Sequence, residues 1–273
     1  MKTDRRFSVL AGAALGAAAW NVHPVHACPP DATELRSLTA IASGQSLMLD
    51  DGSELRLSGI LVPTARDFPT PPEDWPLEAE AKAALDRLLQ NKVLRLGAAH
   101  SFRDRYGRTV AHAVSGDGRW IQSALVDEGL ARVAPLPGET GCARDLFARE
   151  AVARAKGAGL WANPAYAIRP ARHTRTLERL TGTFQIVEGW VTDVGSTRRD
   201  VFLNFGRNWR WDFTAAVDLR GTPDRDATTA RLKLLKGRLV RVRGFIERRN
   251  GPFIGLASAD VIEDVPEGLA SGP

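Results

Sequence analysis

The sequence predicts two small β-rich domains in tandem, the first carrying three helices and the second a short one. Three observations predict this. Short alternating segments bounded by turn residues recur along the chain, three helical stretches fall before residue 168, and a Pro- and Arg-bearing stretch without apolar periodicity separates the halves. A chain of 273 residues, 44% hydrophobic and 25% charged, has material for two ordinary cores, which excludes a disordered or fibrous protein.

Residues 1–27 read as a signal peptide. Lys2, Arg5 and Arg6 precede the apolar run Phe7 to Trp20, and Val25-His26-Ala27 puts small residues at the two positions that matter for cleavage. The run is shorter than the ~20 residues that span a bilayer, so cleavage is preferred to anchoring. Arg5-Arg6-Phe7 suits twin-arginine export, and general secretion is equally acceptable. The mature chain is therefore expected in the periplasm or outside the cell, with no transmembrane segment. Its two cysteines, Cys28 and Cys142, suit a disulfide in an oxidising compartment; lipid attachment at Cys28 and two unrelated thiols are the competing readings.

Residues 28–168 make the first domain. Ser37 to Leu49 and Glu54 to Ile60 alternate around the turn Asp50-Asp51-Gly52, which predicts a hairpin. Leu77, Ala81, Ala84, Leu85, Leu88 and Leu89 recur at helical spacing, with Glu78 and Glu80 placed to complement the helix dipole. Val93 to Leu96 and Thr109 to Val114 read as strands. Two further helices run from Trp120 to Glu128, stopped by Gly129, and from Ala143 to Lys156, stopped by Gly157.

Residues 169–180 are expected to be a linker and residues 181–265 a second domain, with residues 266–273 a disordered tail. Strand candidates are Phe184 to Val194, Asp200 to Asn204, Trp211 to Val217, Leu239 to Ile246 and Phe253 to Leu256, with a helix near Asp226 to Leu235. Five short strands and one helix suit a small barrel such as an OB-fold, and other small β folds fit the same count. The mature chain holds 34 basic and 31 acidic residues; residues 169–273 hold 18 and 13 of these, so the positive surplus lies in the C-terminal part.

The segment Asp104-Arg105-Tyr106-Gly107-Arg108, followed by Thr109-Val110-Ala111-His112, resembles the D-x-Y-G-R-x-x-A motif of the staphylococcal-nuclease (thermonuclease-like) family. Further pieces follow that family's order: Arg56-Leu57-Ser58-Gly59-Ile60-Leu61-Val62-Pro63, the helix from Leu77 to Leu89, Leu125 to Ala131, and Gly159-Leu160-Trp161. The resemblance covers about Leu38 to Ile168 and implies an OB-like five-stranded barrel with three helices. It also implies phosphodiester hydrolysis of DNA or RNA with a calcium ion, in which two arginines stabilise charge on the phosphate. The matching residues are Arg56 and Arg108, with Tyr106 beside them; a guanidinium stays charged and donates paired hydrogen bonds to phosphate oxygens. Both arginines also have ordinary structural readings, Arg108 closing the Tyr106-Gly107 turn and Arg56 lying at an exposed strand position near Asp50 or Asp51.

The metal-binding and general-base positions depart from the family. Its D-G-D-T turn stands here as Ser43-Gly44-Gln45-Ser46, and its D-x-P-E as Leu61-Val62-Pro63-Thr64. Calcium takes about 6–8 oxygen ligands, several of them charged. Gln45 and Thr64 offer neutral oxygens and Leu61 none, so the expectation is no metal. Asp67, Glu73 and Asp74 in the following loop are the carboxylates that could substitute. Asp104 reads as a turn former or an ion-pair partner of a nearby arginine. His112 is expected to pack against the barrel and His100 to lie on a surface loop; with His173 they form no ligand pattern.

In the second domain, Asn208-Trp209-Arg210-Trp211 and Arg248 to Phe253 combine aromatic and basic groups, as single-strand-binding surfaces do. Period-2 alternation instead assigns Trp209 and Trp211 to the core and turns Arg210 outward, and this reading is preferred. Arg238, Arg241 and Arg243 read as one solvated strand face. The favoured function is a catalytically degenerate nuclease-like module that binds nucleic acid, another polyanion or an envelope protein. A phosphodiesterase with a rearranged metal site is the alternative.

Overall fold

The computed structural model describes residues 28–29, 32–68, 76–97, 102–137 and 140–266. The expected signal peptide, Glu73, Asp74, His100 and the tail beyond Pro266 lie outside them.

The first unit is built from β1 (Ala32–Ile41), β2 (Ser46–Leu49), β3 (Glu54–Leu57), β4 (Ile60–Leu61), α1 (Pro76–Leu88), β5 (Val93–Gly97), β6 (Phe102–Arg103), β7 (Thr109–Ala111), β8 (Ala113–Ser115), α2 (Ile121–Asp127), β9 (Arg132–Val133) and α3 (Ala143–Ala155). The sheet order is β6-β7-β3-β2-β1-β5-β8. Since β7 and β8 are halves of one strand broken at His112, the path returns to its start and closes a five-stranded barrel. Closure leaves no long edge exposed. Leu47, Leu49, Leu55, Leu57, Leu94 and Leu96 alternate inward and meet Ala81, Ala84 and Leu85 of α1. The hairpin at Asp50 to Gly52 forms as expected, joining β2 to β3. Three expected strands are each divided, Ser37 to Leu49 by a turn at Ala42 to Gln45, Glu54 to Ile60 by a turn at Ser58 and Gly59, and Thr109 to Val114 at His112.

The segments Leu125 to Ala131 and Gly159 to Trp161 meet in space. Leu160 N donates to Gly129 O at 2.9 Å. Gly129 has φ +68°, and a Cβ there would fall 2.1 Å from Ala158 O. Only glycine meets both the left-handed backbone and the close approach. Cys28 and Cys142 form a disulfide that ties the start of the barrel to the N-terminus of α3.

The second unit comprises β10 (Arg169–Pro170), α4 (Thr174–Arg179), β11 (Phe184–Trp190), β12 (Asp193–Ser196), β13 (Asp200–Asn204), β14 (Thr214–Asp218), α5 (Arg225–Lys233), β15 (Leu239–Arg249), β16 (Gly251–Leu256) and β17 (Glu263–Asp264). Its main order is β10-β11-β15-β16-β14-β13-β12, with β14 and β16 parallel. Counting β11 and β12 as one bent strand, this path repeats that of the first unit, with α5, like α1, between the third and fourth strands. Residues 169–180 are not a linker. β10 pairs with β11, and Leu177 of α4 is buried in the second core.

The two units share an interface. Ala134, Phe184 and Ile186 form its apolar cluster, flanked by Leu61, Trp161 and Ile168. Beside it, Arg243 Nη1 donates to Glu150 Oε2 at 2.8 Å and to Val133 O at 2.9 Å, while its Nη2 donates to Glu263. Arg241 pairs with Glu188, and Arg132 donates to Phe184 O and Asp67 Oδ2, both at 2.8 Å. Arg241 and Arg243 are therefore buried, contrary to the solvated face expected for them, and only Arg238 is exposed. Val240 and Val242 lie in the second core, and strand alternation says nothing about what covers the opposite face, where Arg243 meets Val133 and Glu150 of the first unit.

Candidate anion site

β3 and β7 run parallel, with Arg56 opposite Val110. Leu55 and Leu57 take the core face, which turns Arg56 to the outside of the barrel. The turn before β7 brings Arg108 to the same region. This turn is organised by Asp104, whose Oδ1 accepts from Tyr106 N at 2.9 Å and Arg108 N at 3.0 Å, and whose Oδ2 accepts from Arg108 Nε at 2.9 Å. Arg108 Nη2 lies 2.8 Å from the same oxygen, and Nη1 lies 3.6 Å from Glu54. Asp104 thus acts both as turn former and as ion-pair partner. Burial works against its charge, but these donors hold its carboxyl below the usual value.

Arg56 differs from Arg108 in having no ion pair with any described carboxylate. Burial, then the like charge of Arg108, pulls its pKa down, and the charge of Asp104 only partly offsets them. Arg108 is also penalised by burial but is held above its usual value by Asp104 and then Glu54. Tyr106 is exposed, with the guanidinium carbons of Arg105 and Arg108 4.9 and 5.3 Å from its ring centroid. The group therefore presents one half-buried guanidinium without a carboxylate partner among the described residues, a second that is partnered, and an aromatic ring in contact with two cations. Such an arrangement can hold an oxyanion.

Residues 54–163 match the family model described as Staphylococcal nuclease homologue. The chain carries a staphylococcal-nuclease-like domain. A search of curated proteins finds no match. The match raises the question whether the residues fit calcium. Gln45 Nε2 donates to Ile60 O at 2.9 Å, and Gln45 Oε1 accepts from Val62 N at 3.1 Å. The carboxamide thus links the β1–β2 turn to β4 and lends its oxygen to the backbone. Leu61 has no donor atom, and Thr64 opens the short 3-10 helix Ala65–Asp67. This donor set does not fit a hard divalent ion, which needs several charged oxygens. Among the described residues, no group of three or more His, Cys, Asp or Glu could hold a metal.

Asp67 does not stand in for the lost carboxylates. It is buried, and its Oδ2 accepts from Arg132 Nη2 and Tyr166 Oη, both at 2.8 Å, and from Thr64 N at 3.2 Å. His112 is buried and accepts from Trp120 Nε1 at 3.3 Å, a packing role. In the second unit, Trp209 and Trp211 lie on the loop between β13 and β14, 56% and 67% exposed. The core assignment for them is overturned. Strand β14 begins only at Thr214, so the alternation that placed them inside does not extend to their positions.

Proposed function

We propose that this is an exported nuclease-like protein whose first barrel binds a phosphate-bearing polyanion, nucleic acid first among them, without hydrolysing it through a bound metal. The observation that carries this reading is the half-buried Arg56 guanidinium, which has no described carboxylate partner and lies within the influence of Arg108. Holding two like charges together costs energy, and a bound phosphate would offset that cost. The loss of metal chemistry is supported by the Gln45 carboxamide, both of whose ends are taken up by the backbone. Export is supported by residues 1–27 and by the disulfide, which requires an oxidising compartment.

The test uses the chain from Cys28 to Pro273 with end-labelled single- and double-stranded DNA, RNA and polyphosphate, in Ca²⁺, Mg²⁺, Mn²⁺ or EDTA. Binding should be indifferent to EDTA, weaken steeply with salt and fall about tenfold in Arg56→Ala, the scale of one charge-assisted contact. Metal-dependent cleavage that disappears in Arg108→Ala would overturn the proposal.

A further inference from the structure

The outer face of the second barrel carries aromatic side chains where a solvated sheet face is ordinarily polar. On β13, Val201 and Leu203 point into the core, which leaves Phe202 and Asn204 outside. The ladder sets Gly195 beside Phe202 and Thr214 beside both Asn204 and Phe253. These residues floor a pocket of about 410 Å³. Gly195 adds no side chain to the floor, and nothing would lie within 4 Å of a Cβ there. Trp209 from the β13–β14 loop and Arg249 and Asn250 at the end of β15 complete its lining.

The walls are held rather than loose. Asp212 Oδ2 accepts from Asn208 N at 2.8 Å, Asn208 Oδ1 accepts from Arg210 N at 3.1 Å, and Thr192 Oγ1 donates to Gly206 O at 2.8 Å. The opposite turn packs on this loop so closely that a Cβ at Gly251 would lie 2.7 Å from Trp211 O. Trp209 is thereby exposed on a braced loop, which lowers the ordering cost of binding. Polar groups converge on the same space. Asn204 Oδ1 accepts from Thr214 at 3.3 Å, while its amide nitrogen has no partner among the described residues.

The rim fixes the charge of the occupant. Arg249 lines the pocket from the end of β15, and Arg207 and Arg210 are exposed on the β13–β14 loop. Arg210 lies 5.3 Å from the Trp209 ring and Arg249 4.4 Å from the Phe253 ring. Asp212 is consumed within its loop, and the Arg249–Glu247 pair is exposed and correspondingly weak. A flat aromatic slot with an amide donor inside and guanidinium groups around it matches a base with its phosphates outside. A neutral sugar would leave the arginines unused, and an acidic peptide would leave the rings unused.

We infer that this pocket binds a nucleobase of single-stranded nucleic acid, stacked against Trp209 and hydrogen-bonded by Asn204, with the flanking phosphates on the rim arginines. This site is separate from the Arg56–Arg108 group, and the two can fail independently. The experiment measures anisotropy of a labelled ten-residue single-stranded oligonucleotide on the chain from Cys28 to Pro273, with Trp209→Ala, Trp209→Phe, Asn204→Ala and Arg56→Ala. Stacking of one base predicts about tenfold weaker binding in Trp209→Ala, recovery in Trp209→Phe, and a smaller loss in Asn204→Ala. Free mononucleotide should compete weakly at the same site and duplex poorly, because its bases are not available. Undiminished affinity in Trp209→Ala overturns the inference, as does base-free polyphosphate that displaces the oligonucleotide as well as the unlabelled strand does. Displacement by a neutral oligosaccharide, or no oligonucleotide binding at all, overturns it too. Loss confined to Arg56→Ala overturns this site while leaving the first barrel's reading intact; loss confined to Trp209→Ala does the reverse.

Discussion

Asp104 shows how much one carboxylate settles at the candidate site. It closes the turn through two backbone donors and orients Arg108 through the guanidinium. Its pKa is lowered from the ordinary 3.8, so its stabilising contribution is fully present above that value and is lost as pH falls through the lower, folded-state value. Asp104→Asn should therefore be less stable than the parent at neutral pH, and the gap should narrow as pH drops below about 4. Thermal melts of both proteins from pH 7 to pH 3 check this, and a constant gap would contradict it. Residues such as Arg56, Arg108 and Asp104 were legible because they fall within one short motif and its neighbouring strand. Arg132 and Glu150 were not, because their partners Phe184 and Arg243 lie 52 and 93 residues away. A charged residue at an apolar strand or helix position was the available signal, and it names no partner.

At the scale of elements, hydrophobic period located the main barrel strands and α1, α2, α3 and α5, since each barrel strand needs only one inward face, but not β6, β9, β10, β17 or α4. It failed where an element is set by its neighbours. β10 is two residues long and exists because β11 offers it an edge, and α4 reveals little beyond the single buried Leu177. The loop from Gly206 to Asp212 shows the converse failure, because alternating tryptophans imitate a strand while side-chain-to-backbone bonds fold them into a turn. The contact between Gly129 and Gly159 gives a sharp test at this scale. Gly129→Ala must either abandon φ +68° or push away Ala158 O, and should cost at least about 2 kcal/mol. Urea denaturation checks it, with Gly157→Ala as control: Gly157 also has positive φ, but a Cβ there meets nothing within 4 Å. A loss at Gly129 no larger than at Gly157 would show that the close approach is immaterial.

The whole molecule is two barrels of one strand order, bound face to face through charges that both left water. Such an interface is conditional. Arg243 is buried between Glu150 and Glu263, and their attraction outweighs its burial penalty so that its pKa stays raised. Removing one acid leaves a buried cation short of a partner, which typically costs about 3–5 kcal/mol, whereas replacing the whole group by apolar side chains can be nearly neutral. Glu150→Gln should thus lower stability by about 3 kcal/mol, and Arg243→Met added to it should recover part of the loss. That non-additivity is the signature of a coupled pair. The disulfide acts on a different quantity. It spans 114 residues and limits the unfolded chain, so reduction should lower stability by up to about 4–5 kcal/mol on the chain-entropy account and add to the Glu150→Gln loss. If reduction and Glu150→Gln are measured separately and together in urea, additive losses mean that crosslink and interface are independent. Strongly sub-additive losses would mean that the disulfide stabilises chiefly by holding α3, which carries Glu150, against the second barrel.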